Sequence, residues 1–297
     1  MRILLTGAAG QVGWELQRSL QVLGEVIAVE RAECDLSRPD SVRAAIELAR
    51  PDLLVNAAAY TAVDRAEAEP ALAHAINADA PALMAELMRK RGGTMVHYST
   101  DYVFDGTLDR PYVEDDVPNP LSVYGRSKLA GEQAIIGSGV PHLILRTSWV
   151  YAARGQNFLR TILRLARDRE VLRIVDDQIG APTWARTLAD ATLGCLLQCR
   201  QGEDLAAGMA VRGGVYHVTA QGATSWFGFA QAILREVQDP ARRLRQLNPI
   251  PSREYPTAAK RPLNSRLRGE RLAQRLGLRL PSWEPALALC VRELAAD

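Results

Sequence analysis

A tyrosine and a lysine stand four residues apart in Tyr124-Gly125-Arg126-Ser127-Lys128. On a helix such a pair shares one face. Ketone reduction needs that pair. As hydride reaches the carbonyl carbon, the oxygen becomes an alkoxide and needs a proton donor within reach. A free tyrosine ionises near pH 10, at about the top of the useful range. A neighbouring ammonium favours the phenolate and brings that value down. Lys128 is also suited to hold the hydroxyls of a nicotinamide ribose. Thr100, in Ser99-Thr100-Asp101-Tyr102, is suited to donate to the carbonyl oxygen and orient it. A lone Tyr/Lys pair more often decorates a surface, so its meaning depends on the motifs around it.

The strongest of these is Thr6-Gly7-Ala8-Ala9-Gly10-Gln11-Val12-Gly13, with G-x-x-G-x-x-G spacing. It follows an apolar run and opens a helical one, as a dinucleotide site requires. Gly7 permits the tight turn, Gly10 a close backbone approach to pyrophosphate, and Gly13 close packing of helix on strand. The helix start adds free N–H groups and partial positive charge. Downstream, Glu30 and Arg31 stand where a second strand should meet the adenosine ribose. Glu30 suits a 2′-hydroxyl and therefore NADH; Arg31 suits a 2′-phosphate and therefore NADPH. The two signals conflict, so dual use or weak preference is expected. Asp35 suits the adenine amino group or, equally simply, a turn cap. Ala57, Ala58 and Ala59 are small enough to let a dinucleotide lie across the strand ends.

These residues need a sheet to hold them. Arg2–Thr6, 25–30, 53–56, 95–99 and 143–146 read as strands. Between them, 11–23, 39–50, 71–91 and 124–136 carry helical spacing. Alternation of this kind implies βαβ units, and so an α/β, doubly wound parallel sheet of the Rossmann type. Residues 1–150 should form the dinucleotide-binding domain. Residues 151–297 should be mostly a smaller substrate-binding domain, with about 187–237 returning to the first. In this second half 158–167, 187–199 and 225–237 read as helices, and 172–175 and 215–219 as strands. Residues 201–214 read as a surface loop, and the proline-rich 240–262 resists assignment.

Composition narrows the class. A chain of 297 residues, 47% apolar and 24% charged with net charge +2, suits a globular protein. Near-neutrality gives no reason to expect nucleic acid or a membrane surface as partner. The opening apolar run is too short for a signal peptide, and no stretch approaches a membrane span, so a cytoplasmic location is expected. Cys34, Cys195, Cys199 and Cys290 lack zinc-like spacing and read as buried reduced thiols.

Thr6–Gly13, Ser99–Phe104 and Tyr124–Lys128 resemble the extended short-chain dehydrogenase/reductases. Within them, Gly10–Gly13 with Glu15-Leu16, Asn56–Asp64 (NAAAYTAVD), Arg146–Tyr151, Asp177–Thr183 (DQIGAPT) and Arg261–Leu267 (RPLNSRL) resemble the dTDP-4-dehydrorhamnose reductase family. The likeness runs over nearly the whole chain. It implies reduction of the 4-keto group of dTDP-4-dehydro-β-L-rhamnose by NADPH or NADH. Gly10, Gln11, Val12, Glu30, Asp35, Leu36, Ala57, Ala58, Ala59 and Thr61 would contact the dinucleotide. Tyr124 would donate the proton with Lys128 as its electrostatic partner. Thr100, Asp101 and Trp149 would contact the sugar. A flat Trp149 could stack on a pyranose, with core packing as the plainer reading. Asn157 could open a helix toward a diphosphate, and Arg261 and Asn264 could serve phosphate or thymine. Some members are magnesium-linked homodimers, for which Glu15 stands at the matching position, with Asp190 and Glu293 as companions.

Two rivals share these features. A 4,6-dehydratase or epimerase is the nearer one, but a dehydratase would carry Asp-Glu after Thr100, where this chain has Asp101-Tyr102. The other is a non-catalytic regulatory subunit of the same fold, which intact Thr100, Tyr124 and Lys128 argue against.

Overall fold

Ile3–Leu5 and Leu53–Val55 carry apolar side chains at successive positions, and such strands are stable only when covered on both faces. In the computed structural model, which describes residues 1–200, 202 and 204–294, they lie at the centre of a sheet. The strands longer than two residues are β1 (Arg2–Thr6), β2 (Glu25–Val29), β3 (Leu53–Asn56), β4 (Thr94–Thr100), β5 (His142–Thr147), β6 (Val171–Val175), β7 (Gly214–His217) and β8 (Gln246–Ile250). Six of them form one sheet in the order β7-β5-β4-β3-β1-β2, with every pairing parallel. The chain reverses its direction of travel across the sheet between β1 and β3. In such sheets ligands bind at that switch point, beyond the strands' C-terminal ends.

The alternation of side chains sorts the helices onto two faces. Ile3, Leu5, Val55 and Leu145 pack against α1 (Gln11–Ser19), α8 (Ala185–Cys199), α9 (Leu205–Arg212) and α11 (Glu270–Leu276). Leu4, Leu54, Met95 and Ile144 face the other way, toward α2 (Pro39–Ala49), α5 (Ala80–Lys90) and α6 (Val123–Ser138). A third cluster lies apart from the sheet. It gathers Leu159 and Ile162 of α7 (Phe158–Asp168), Phe229 and Ile233 of α10 (Trp226–Glu236), and Trp283, Leu287 and Cys290 of α12 (Trp283–Leu294). All four cysteines are buried and free. Among the described residues no helix is long and apolar enough to cross a membrane.

Three elements differ from the sequence reading. The helix expected over 71–91 is α4 (Pro70–His74), a π-helical turn at Ala75–Asp79, and α5. The turn lets Asn77 reach out of the helix to the backbone of Tyr60 and to Ser127 Oγ. The loop expected over 201–214 contains α9, capped by Asp204, whose carboxylate accepts from Ala207 N–H at 3.0 Å; residues 201 and 203 lie outside the described residues. The unassigned stretch contains β8, which pairs in parallel with β6. Pro249 hid this strand, because proline is confined to sheet edges and each strand of a lone pair is an edge. The remaining helix, α3 (Val63–Ala68), follows the β3 loop.

Candidate active site

Gly7 has φ +74°, and a Cβ there would lie 2.7 Å from the Ala58 nitrogen and 2.8 Å from the Ala57 carbonyl carbon. The glycine loop is thus pressed against the end of β3, as the switch point demands. A Cβ on Gly13 would meet Gly7 O at 2.0 Å, so this glycine packs the helix onto the loop instead of facing a ligand. Gly10 precedes α1, and no side chain caps that helix. Its first N–H groups remain available to an anion.

A cleft of about 670 Å³ opens from this loop. Gly7, Gly10, Gln11 and Val12 line one end, and Glu30, Arg31, Asp35 and Leu36 the next stretch. Ala57, Ala58, Ala59 and Thr61 form the floor, and Ser99, Tyr124 and Lys128 the inner end. Every cofactor position read from the sequence is therefore in one cleft except Gly13, which lies behind it. Thr147, Val150, Gly155 and Gln156 also line the cleft and were missed. Thr147 ends β5 and Val150 follows it, and the rule that ligands meet strand C-termini could have found them.

Asp35 performs the cap and also lines the cleft. Its carboxylate accepts from the Ser37 N–H at 3.0 Å and the Ser37 hydroxyl at 2.7 Å while lining the cleft. Those bonds, with a smaller effect from Arg31, hold it below the usual carboxylate range. Arg31 is 77% exposed and lies 3.5 Å from Asp35, a loose pairing that leaves it able to turn toward a phosphate.

At the inner end, Ser122 caps α6 by accepting from Gly125 N–H at 3.1 Å, which sets the helix start beside β4. Tyr124 and Lys128 both point inward and are buried. Burial pushes the Tyr124 phenol up to about 12, against an opposing bond from Thr100. This corrects the expectation that Lys128 brings it down. Lys128 Nζ donates to Tyr98 O at 2.6 Å and stands 3.0 Å from His97 Nε2, tied to β4 instead of Tyr124. Burial lowers the lysine to about 8. Thr100 Oγ1 donates to Asp101 Oδ1 at 3.0 Å, and Asp101 is buried, with burial raising it to about 6. Tyr102 meets Tyr124 edge-on, with ring centroids 5.5 Å apart.

The sugar-side residues do not line the dinucleotide cleft. Trp149 has φ +49° and stacks on Trp226 at 3.6 Å between centroids, so one face is already covered. A Cβ on Gly180 would lie 2.5 Å from its indole. Arg261 grips Asp64 through two bonds, of 3.1 and 2.6 Å. Asn264 donates to Leu108 O and Arg110 O and accepts from the Arg266 N–H and Nε–H, which fills its amide. It has nothing left for phosphate or thymine, contrary to the sequence reading. Asn157 likewise caps α7 and donates to Ala152 O, Arg154 O and Gln11 Oε1. Its side chain thus opens α7, as the sequence reading expected, and braces Gln11.

Glu15 does not fit a magnesium ion. It is buried, and its carboxylate accepts from Arg186 Nε at 3.0 Å; Arg186 also bonds Glu293 at 2.7 Å. The Arg186 guanidinium bridges both carboxylates, so each already has a cationic partner. Asp190 is bonded to Ser19 and Arg18. Among the described residues no group of three or more His, Cys, Asp or Glu could hold a metal ion.

The chain matches the model of the RmlD substrate binding domain over residues 1–296. It is 52% identical over 301 residues to a dTDP-4-dehydrorhamnose reductase of Burkholderia thailandensis, covering 100% of both chains. A crystal structure of a dTDP-4-dehydrorhamnose reductase from Clostridium acetobutylicum superposes with a TM-score of 0.90 at 34% identity, covering 99% of this chain and 100% of that one. Another, from Bacillus anthracis in complex with NADP, gives a TM-score of 0.88 at 34% identity over 98% of this chain and 99% of that one.

Proposed function

This chain belongs to the RmlD substrate binding domain family, and from that premise we propose that it reduces the 4-keto group of dTDP-4-dehydro-β-L-rhamnose to give dTDP-L-rhamnose. The observation that carries the chemistry is the burial of Tyr124 and Lys128 at the inner end of the cleft that begins at the glycine loop. The residues fit a nicotinamide dinucleotide: an uncapped helix start, a floor of three alanines, and a loop too close to β3 for any side chain. NADPH or NADH, when bound, supplies the hydride.

The protein's own residues do the rest. The Gln11 and Val12 N–H groups bind phosphate, and Asn157 holds the Gln11 side chain in place. Arg31 meets a 2′-phosphate and Glu30 a 2′-hydroxyl, so both cofactors are accepted. Tyr124 gives its hydroxyl proton to the oxygen that was the ketone. A phenol raised to about 12 is fully protonated at neutrality, as a donor must be. Thr100 orients that oxygen, and Lys128 supplies positive charge as the phenolate forms. Asp101 and Trp149 meet the sugar, and Trp149 must part from Trp226 or use its other face to do so. Arg261 acts through Asp64 and the neighbouring Tyr102, closing the sugar end of the site.

The test is oxidation of NADPH and NADH by the purified protein with dTDP-4-dehydro-L-rhamnose, beside Tyr124→Phe. Turnover in the wild type and loss of at least about a hundredfold in the variant is expected, the ordinary contribution of a general acid. A variant within tenfold of wild type would remove Tyr124 from the role.

A further inference from the structure

Beneath Lys128 lies a polar chain that the reaction as described does not use. Thr6 Oγ1 donates to Asn56 Oδ1 at 2.7 Å, and the Ala58 N–H donates to the same oxygen at 3.2 Å. Asn56 Nδ2 is 3.1 Å from His97 Nδ1, and His97 Nε2 is 3.0 Å from Lys128 Nζ. Thr6, Asn56, His97 and Lys128 are each no more than 2% exposed, so water does not supply missing partners.

Proton positions along this chain follow from its fixed end. A backbone N–H can only donate, so Ala58 makes Oδ1 the acceptor and leaves the Asn56 amide NH₂ facing His97. His97 Nδ1 must therefore present its lone pair. A neutral imidazole carries one N–H, which then sits on Nε2 and points at Lys128 Nζ. An imidazolium would set a second N–H against the asparagine amide. Only an amine has a lone pair to receive Nε2–H; an ammonium there leaves two donors face to face in a dry site.

We infer that His97 is a positioning residue that favours the neutral amine of Lys128 while the cleft is empty of dinucleotide, and that entry of the anionic cofactor shifts Lys128 back toward its protonated form, the proton coming from solvent. The proton goes to the Nζ lone pair, which ends its bond with Nε2–H. Nζ then turns from β4 toward the cleft, where Tyr124 stands one helical turn away. The first half of this inference stands on hydrogen-bond geometry alone; the second rests on the reductase reading. The surrounding charges agree. Glu132, the carboxylate next along α6, is held by Arg146 of β5 through bonds of 2.9 and 2.6 Å, so that pair is close to neutral. Tyr124 is protonated, and besides His97 β4 brings the Tyr98 carbonyl to Nζ. Burial is the main cause that lowers both Lys128 and His97, with Glu132 opposing it at the lysine.

The experiment is NMR of the full chain with ¹⁵N-imidazole and ¹³Cε-lysine labels, with and without NADPH, across pH 6 to 10. His74, His142 and His217, and Lys90 and Lys260, are the only other residues of these types to assign. In the free protein His97 should carry its proton on Nε2, and Lys128 should titrate about two pH units below Lys90 and Lys260. NADPH should move that titration up by about one unit or more. An Nδ1–H tautomer, or a Lys128 that titrates with the other lysines, overturns the inference. An unmoved titration with NADPH overturns its second half. His97→Gln, which brings an amide oxygen toward Nζ, should raise the Lys128 titration in the free protein and carry the alkaline limb of kcat/KM for NADPH upward with it. A lowered kcat on an unshifted limb means that His97 only packs. A failed reductase reading appears separately, as a wild type that does not turn over while the NMR result holds.

Discussion

Two side chains of one type illustrate how residue identity and role separate. Asn157 and Asn264 were both read as substrate-side residues, and both have their amides filled by the protein itself. Arg31 is the opposite case, exposed and loosely paired. Arg31→Ala should therefore weaken NADPH by about tenfold, roughly 1.4 kcal/mol, and leave NADH nearly unchanged. Equal losses for both cofactors in a fluorescence titration would show that Arg31 does not meet the 2′-phosphate. The Glu132–Arg146 pair is buried on both sides, at 1% and 5% side-chain exposure. Glu132→Ala strands a buried guanidinium and should cost about 3–5 kcal/mol in a urea unfolding curve. A cost under 1 kcal/mol would mean that water reaches Arg146.

At the scale of the element, helix α6 places the chemistry, and two of its glycines make opposite predictions. A Cβ on Gly125 would meet Tyr102 O at 2.3 Å, whereas one on Gly137 meets nothing within 4 Å. Gly125→Ala must lift the helix start away from the turn after β4, carrying Tyr124 with it. We expect kcat to fall by about tenfold or more, since misplacement of about 1 Å is costly to a reacting geometry, with NADPH affinity little changed. Gly137→Ala should stabilise by about 0.5–1 kcal/mol by restricting the unfolded chain, with activity intact. A fully active Gly125→Ala would show that the close approach of α6 to Tyr102 does not set the site.

Over the whole molecule, buried neutral histidines couple stability to pH. Burial, with help from Arg146, lowers His217 to about 3, and burial drives His97 well down as well. An unfolded histidine protonates near 6.5, so below that pH the unfolded state binds protons that the folded state refuses. The stabilisation is complete above about 6.5 and is lost as pH falls toward 3, at about 1.4 kcal/mol per pH unit for each histidine. Thermal midpoints should drop steadily below pH 6.5, and less steeply in His217→Gln; parallel slopes would show that His217 is not the source. Asp64 and Arg261 join α3 to the C-terminal segment, 197 positions apart. Asp64→Asn should raise the KM for the sugar nucleotide more than that for NADPH, because it releases Arg261 at the sugar end.

By itself the sequence determined the alternation of strands and helices, hence the parallel sheet, and with it the dinucleotide cleft. That much is local: Gly7, Gly10 and the 57–59 alanines act through backbone geometry that neighbouring residues dictate, and Tyr124 and Lys128 share a face by helical period alone. What only the tertiary structure decided is which polar groups are still free. Arg261 met Asp64, Asn264 met the backbone at 108 and 110, Glu15 met Arg186, and Lys128 met His97 instead of Tyr124. Each partner lies far along the chain, and a side chain's hydrogen-bonding capacity is exhausted by whatever folding brings beside it. Residue type shows what chemistry a group can do; burial and partners decide whether it remains available to do it.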